Sequence, residues 1–152
     1  MVAYKFMGPL EIQPGVDERG RTGAWVKFDY VHEPVFIASH QWIGVDFDGT
    51  LARDDGAGHF DPPFPLGEPI PEMVAMIRSL MDAGITVKIF SARAIEPANV
   101  PRIQAWTEQH GLGRMEVTNL KDYDLIRFFD DRAIQMLPNA GMSIGGKFIQ
   151  GF

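Results

Sequence analysis

The sequence predicts an α/β fold built on a mainly parallel sheet, preceded by a β-hairpin or small β-meander. After residue 42, short apolar runs typical of strands alternate with amphipathic helical segments. This alternation is typical of parallel strands joined by right-handed helical crossovers. Before residue 42 the chain has aromatic and β-branched runs separated by turn-forming residues, and this pattern favours local antiparallel pairing.

The first 41 residues are predicted to be a β-rich extension of a single overall domain whose core is residues 42–152. Val26, Phe28 and Tyr30 alternate with charged residues, as in a strand with one buried face. Further strands are predicted at residues 2–6 and 34–37, with turns at residues 14–17 and 19–21.

Each element of the core follows from its periodicity and its boundary residues. The first helix, residues 71–83, has apolar side chains at helical spacing, Pro71 at an early position and Gly84 at its C-terminal cap. Asn99 is predicted as the cap of the second helix. The other predicted elements are a strand at 42–47, a loop at 52–69, a strand at 85–90, a helix at 101–110, strands at 115–118 and 125–129, a short helix at 133–137 and a last strand at 143–149.

Composition and charge exclude several classes of protein. The 152 residues suit one domain with a real core, and they include no cysteine, so disulfides and thiolate metal sites are excluded. The net charge of -6 argues against binding long nucleic-acid tracts, although a local basic pocket for one phosphate stays compatible with it. No apolar run is long enough to span a membrane, so we expect no membrane partner and a soluble, cytoplasmic protein.

Polar side chains follow the predicted strands at the points where those strands end. In a parallel sheet the carboxyl ends of the strands share one edge, where ligands bind. Two carboxylates about 4 Å apart repel by about 4 kcal/mol at an effective dielectric of 20, so a group of them needs a hard divalent cation such as Mg²⁺. The remaining polar groups offer donors to a phosphoryl group. The strand-end residues are Asp46, Asp48, Ser91, Arg93, Lys121, Asp130 and Asp131.

Four segments in this order resemble the motifs of the haloacid dehalogenase (HAD) superfamily, on its phosphatase branch. They are Asp46-Phe47-Asp48-Gly49-Thr50 after an apolar lead-in, Val87-Lys88-Ile89-Phe90-Ser91, Lys121, and Phe128-Phe129-Asp130-Asp131. The match covers residues 42 to about 136 and leaves residues 1–41 unmatched. The resemblance implies a Rossmann-like, three-layer fold, Mg²⁺ as the cofactor, and hydrolysis of phosphomonoesters through an aspartyl-phosphate.

The resemblance also implies a role for each motif residue. Asp46 would be the nucleophile and a metal ligand, and Asp48 the general acid/base that also reaches the metal through its backbone carbonyl. Thr50 and Ser91 would bind the phosphoryl group, and Lys121 would bridge it to the nucleophile. Asp131 would bind the metal with Asp130 beside it, and which of the two is the direct ligand stays open. Arg93 is predicted as a phosphate or substrate contact, with a solvated strand-end residue as an equal alternative.

The spacing of the motifs leaves no room for a cap domain, so we expect a nearly capless phosphatase with an open site. A flap carrying Arg53, His59, Phe60 and Phe64 is hypothesised to shield the site from water. The N-terminal aromatic residues fit either a homodimer contact or packing on the sheet edge. The segments around Ser91 and Asp130 are similar to those of polynucleotide 3′-phosphatase domains and 5′(3′)-deoxyribonucleotidases, which favours a small phosphomonoester substrate such as a nucleotide, or nucleic-acid ends.

Two other classes of function compete with a phosphatase. A phosphotransferase or phosphomutase of the same superfamily would use the same residues and differ only in the acceptor. A non-catalytic phosphate-binding or receiver-like module would use Asp46 as a binding or switch residue. Against the receiver-like module, the phosphoacceptor of receivers lies on a later strand than their acidic pair.

Overall fold

The computed structural model describes residues 10–28, 33–54 and 65–144. These residues form a mixed α/β fold with a four-stranded parallel sheet, a three-stranded antiparallel sheet and two α-helices. Neither described α-helix combines the length and apolarity that a membrane span requires. The strand predicted at residues 2–6 and the flap residues His59, Phe60 and Phe64 lie outside the described residues.

The N-terminal sheet is an antiparallel meander of β1 (Glu11–Val16), β2 (Thr22–Lys27) and β3 (Val35–Ala38). The turn predicted at residues 14–17 is wrong, because Pro14 lies inside β1 and pairs with Ala24. β1 is an edge strand, and an edge strand tolerates proline because the missing N–H group can lie on the side that has no partner strand. The actual turn follows β1, where the Asp17 carboxylate accepts hydrogen bonds from the N–H groups of Arg19 and Arg21 at 3.0 and 2.8 Å.

The parallel sheet contains β4 (Trp42–Val45), β5 (Thr86–Phe90), β6 (Val117–Thr118) and β7 (Leu125–Phe129), in the order β6-β5-β4-β7. Helix α1 (Pro71–Asp82) connects β4 to β5. A 3₁₀ helix (Ala92–Ile95) and helix α2 (Asn99–Gln109) connect β5 to β6. β4 is central and paired on both sides, and its four residues are all buried, as its unbroken apolar sequence predicts.

One face of the parallel sheet carries the main hydrophobic core. Side chains that alternate along β4 and β5 pack there with both helices and with the inner face of the N-terminal sheet. The N-terminal sheet therefore shares its core with the α/β part of the chain. The residues of this core include Ile43, Val45, Val87, Ile89, Ile77, Leu80, Ile103, Trp106, Val26 and Ile37.

The other face of the parallel sheet carries a row of aromatic rings. The Phe90 ring lies 6.5 Å from that of Trp42 and 4.8 Å from that of Phe128, measured between centroids. The Lys88 ammonium lies 4.7 Å from the Trp42 ring centroid. The connection from β6 to β7 is tied to this face, because the Trp42 indole donates a hydrogen bond to Asp122 at 2.8 Å.

Two predicted helices differ from the structure, one at its start and one in kind. α2 begins at Asn99, so this residue lies in the helix and does not cap it; Pro101 is tolerated because the first N–H groups of a helix have no intrahelical partner. The helix predicted at residues 133–137 is wrong. Met136 instead pairs with Ser143 across a turn in which Asn139 has a φ of 60°. An apolar segment this short does not offset the cost of helix nucleation.

Candidate metal-phosphate site

The candidate site lies where the strand order reverses, at the carboxyl ends of β4 and β7. After β4 the chain forms β5 and β6 on one side of this strand, and β7 then pairs with β4 on its other side. Loops that diverge in this way leave a crevice at the strand ends. The Asp46 N–H donates to the Phe129 carbonyl at 2.9 Å, which continues the ladder by one residue and sets Asp46 beside Asp130.

Three carboxylates meet at these strand ends. Asp46, Asp130 and Asp131 each offer an oxygen atom that lies within 4.8 Å of those of the other two. Burial raises the pKa of Asp46 to about 7, and the hydrogen bond to Asp131 and the charge of Asp130 add to the rise. Hard oxygen ligands that repel one another in this way are the donor set that Mg²⁺ accepts. The three residues therefore fit a divalent cation.

The Thr50 side chain ties two of these carboxylates together. Its hydroxyl oxygen lies 3.3 Å from Asp46 Oδ2 and 3.3 Å from Asp131 Oδ1, and it accepts the N–H of Asp131 at 3.1 Å. A hydroxyl carries one hydrogen, so it donates to one carboxylate at a time. Thr50 thus joins the loops after β4 and β7, and its contact with a phosphoryl group stays a prediction.

Gly49 lets the loop after β4 pass close to the acidic residues of β7. Its φ is +87°, a conformation that L-amino acids with a side chain rarely adopt. A Cβ atom placed on Gly49 would lie 2.5 Å from Asp131 Oδ2. The glycine of the first motif is thus required twice, for the turn and for the space that Asp131 occupies.

Asp48 is held by Arg93, a contact that the sequence did not predict. Arg93 Nε and Nη2 donate to the two carboxylate oxygens of Asp48 at 2.7 Å each. Both side chains are largely buried, with 14% of Asp48 and 10% of Arg93 exposed. Arg93 Nη2 also donates to the Pro65 carbonyl at 3.2 Å. The arginine thus joins the end of β5, the loop after β4 and the segment that leads to α1.

Ser91 ends β5 at the same edge and is buried, with 3% of the residue exposed. Its N–H donates to the Thr118 carbonyl at 2.9 Å, and its hydroxyl oxygen accepts the N–H of Arg93 at 3.1 Å. The buried Asn99 side chain donates to the Arg93 carbonyl at 3.1 Å. Ser91 and Asn99 therefore shape the turn that presents Arg93, and the Ser91 hydroxyl donates to no acceptor among the described residues.

Lys121 is the predicted site residue that the structure does not bring to the others. It lies in the exposed connection between β6 and β7, and its ammonium forms no ion pair with a carboxylate in the described part of the chain. Arg53, predicted on the flap, is exposed, and its N–H donates to the Glu68 carbonyl at 2.8 Å. The motif sequences alone could not reveal these positions, because both residues lie in irregular connections.

Comparison of the chain with protein-family models, curated protein sequences and solved structures gave no match. The resemblance to the HAD superfamily therefore depends on the four sequence motifs alone.

Proposed function

We propose that the protein is a Mg²⁺-dependent phosphomonoester hydrolase of the HAD type, with a Rossmann-like core, that acts through an aspartyl-phosphate. The observation that carries this proposal is the meeting of Asp46, Asp130 and Asp131 within 4.8 Å at the switch point of a parallel sheet. A second carboxylate, Asp48, follows the candidate nucleophile by two residues on the same loop.

The proposed reaction has two steps. Asp46 attacks the phosphorus atom, the bond to the leaving oxygen breaks, and Asp48 supplies the proton that this oxygen takes up. Water then attacks the aspartyl-phosphate while Asp48 takes its proton, which releases inorganic phosphate and restores Asp46. A carboxylate nucleophile divides a difficult hydrolysis into two easier steps, and a positioned acid/base assists both.

The remaining residues bind and orient in this proposal. Asp46, Asp130 and Asp131 would hold Mg²⁺, which supplies positive charge to the phosphoryl oxygens when bound. The Ser91 hydroxyl would donate to a phosphoryl oxygen. Lys121 would have to approach Asp46 when substrate binds, and this movement is part of the proposal.

The proposed substrates are small phosphomonoesters, with nucleotides or nucleic-acid ends as the first to be tested. The net charge of -6 disfavours long polynucleotides because their phosphates would be repelled. The motif spacing leaves the site without a cap domain, so a flap or the substrate itself must limit the access of water.

A phosphatase screen tests the proposed function. Purified protein with Mg²⁺ is offered p-nitrophenyl phosphate, nucleoside monophosphates and phosphorylated oligonucleotides, beside the variant Asp46→Asn. Asp82→Asn, an exposed carboxylate at the end of α1, is the matched control. We expect EDTA-sensitive turnover by the wild type and the control, and none by Asp46→Asn. Equal trace turnover by all three proteins would refute the proposal, and transfer to an added alcohol in place of water would identify a phosphotransferase.

A further inference from the structure

We propose that Arg93 is a positioning residue that acts through Asp48, and that it does not bind the phosphoryl group of the substrate. This inference rests on the proposed function and concerns one residue of the same site. It differs from both alternatives predicted from the sequence, in which Arg93 is a phosphate or substrate contact or a solvated strand-end residue.

The geometry of the Asp48–Arg93 pair carries the inference. Two parallel N–H···O bonds of 2.7 Å join the groups, and this fork geometry fixes the plane of the carboxylate as well as its distance. Both side chains are mostly buried, so exchange of either partner for water is costly. The pair is therefore a fixed part of the site.

The backbone around Arg93 is equally constrained. Its N–H donates to Ser91 Oγ at 3.1 Å, and its carbonyl accepts a hydrogen bond from Asn99 at 3.1 Å. Its Nη2 also donates to the Pro65 carbonyl at 3.2 Å. Contacts to the backbone on both sides and to a carboxylate at the tip leave the guanidinium little freedom to turn towards a phosphate.

The pair can serve catalysis by holding Asp48 in place. A general acid/base must be held within hydrogen-bond reach of the leaving oxygen, and a misplacement of 1 Å can reduce the rate about 100-fold. Asp48 lies on a loop, which is a less rigid support than a strand. The bond to Arg93 connects this loop to the 3₁₀ helix that follows β5. The backbone of Arg93 is held there by Ser91 and Asn99, so Arg93 supplies the rigidity that the loop lacks.

A double-mutant cycle separates a positioning role from a phosphate-binding role. The proteins are wild type, Arg93→Lys, Asp48→Asn and the double variant, assayed with p-nitrophenyl phosphate and Mg²⁺. Lysine keeps the charge and loses the fork. If Arg93 acts through Asp48, Arg93→Lys lowers kcat about 100-fold in the wild-type background and has almost no effect in the Asp48→Asn background. Competitive inhibition by inorganic phosphate stays within about twofold of the wild type.

Arg114→Lys is the matched control, because Arg114 is exposed and paired with Glu108 at 3.3 Å. Equal losses of kcat in both backgrounds, or phosphate inhibition weakened tenfold or more by Arg93→Lys, would overturn the inference and leave the proposed function in place. A wild type without EDTA-sensitive turnover would overturn both.

A second measurement does not depend on whether the variants fold. A crystal structure of the wild-type protein with Mg²⁺ and inorganic phosphate should retain both Arg93–Asp48 bonds, with the guanidinium beyond hydrogen-bond distance of the phosphate. An Arg93 side chain that leaves Asp48 and binds the phosphate oxygens would refute the positioning role.

Discussion

Substitution of Gly49 by alanine should damage metal binding far more than it damages stability. The new Cβ would lie 2.5 Å from Asp131 Oδ2, and the carboxylate must move by about 0.5 Å to reach the 3.0 Å limit that real Cβ contacts respect. Asp131 is exposed and its side chain can rotate away, so this movement costs little folding free energy. It does displace a ligand of the proposed cation.

The magnitude of each effect follows from the backbone. A side chain at a positive φ costs about 1–2 kcal/mol, which lowers the Tm of a chain of this length by about 2–8 °C. Gly84 is the matched control, because its φ is +82° and no atom of the described residues lies within 4 Å of its Cβ position. Gly84→Ala therefore carries the backbone cost alone.

Thermal unfolding in EDTA and calorimetric titration with Mg²⁺ measure the two effects separately. We expect similar Tm losses for Gly49→Ala and Gly84→Ala. Only Gly49→Ala should weaken Mg²⁺ binding, by about 10- to 100-fold, the range found when groups that orient metal ligands are disturbed. Equal Mg²⁺ affinities in the two variants would refute the reasoning, because Asp131 would then not need the space beside Gly49.

Three further predictions concern the same region. Thr50→Val removes the hydroxyl that lies 3.3 Å from both Asp46 and Asp131, and it should weaken Mg²⁺ binding about 10- to 100-fold in calorimetric titration, whereas Thr86→Val on the exposed start of β5 should not. The metal-free protein should lose stability to urea as the pH rises from about 4 to about 7, because burial raises the pKa of Asp46 from 3.8 to about 7 and the folded state holds a proton that the unfolded state releases. Asp46→Asn should flatten this slope, and an unchanged slope would contradict the burial argument. Gly67→Ala would make a Cβ clash with the Arg53 carbonyl oxygen, a backbone atom, so it should cost about 3 kcal/mol or more in urea unfolding; a cost below that of Gly84→Ala would contradict the packing.

The sequence predicted well what depends on periodicity. The strand and helix pattern between residues 42 and 129, the end of α1 near Gly84 and the placement of Asp46 and Asp130 at neighbouring strand ends all follow from apolar spacing and strand-end chemistry. The N-terminal meander also followed from alternation, although its first strand was misread as a turn at Pro14.

The contacts that the sequence could not predict lie between segments distant along the chain. Arg93 is 45 residues from Asp48, and Thr50 is 81 residues from Asp131. Neither contact therefore produces a pattern that can be recognised in a local stretch of sequence. The short helix predicted at residues 133–137 failed because too few residues were available to establish a period. The position of Lys121 could not be predicted either, because the residue lies in an irregular connection, where no strand register determines its place.

The central claim is that Asp46 carries the phosphoryl group in a Mg²⁺-dependent hydrolysis. It is tested most directly by acid-quenching the protein during turnover of p-nitrophenyl phosphate and locating the phosphoryl group by peptide mass spectrometry. We predict one phosphoryl group on Asp46, dependent on Mg²⁺ and absent from Asp46→Asn. A phosphoryl group on another residue, or turnover that persists in Asp46→Asn, would contradict the account.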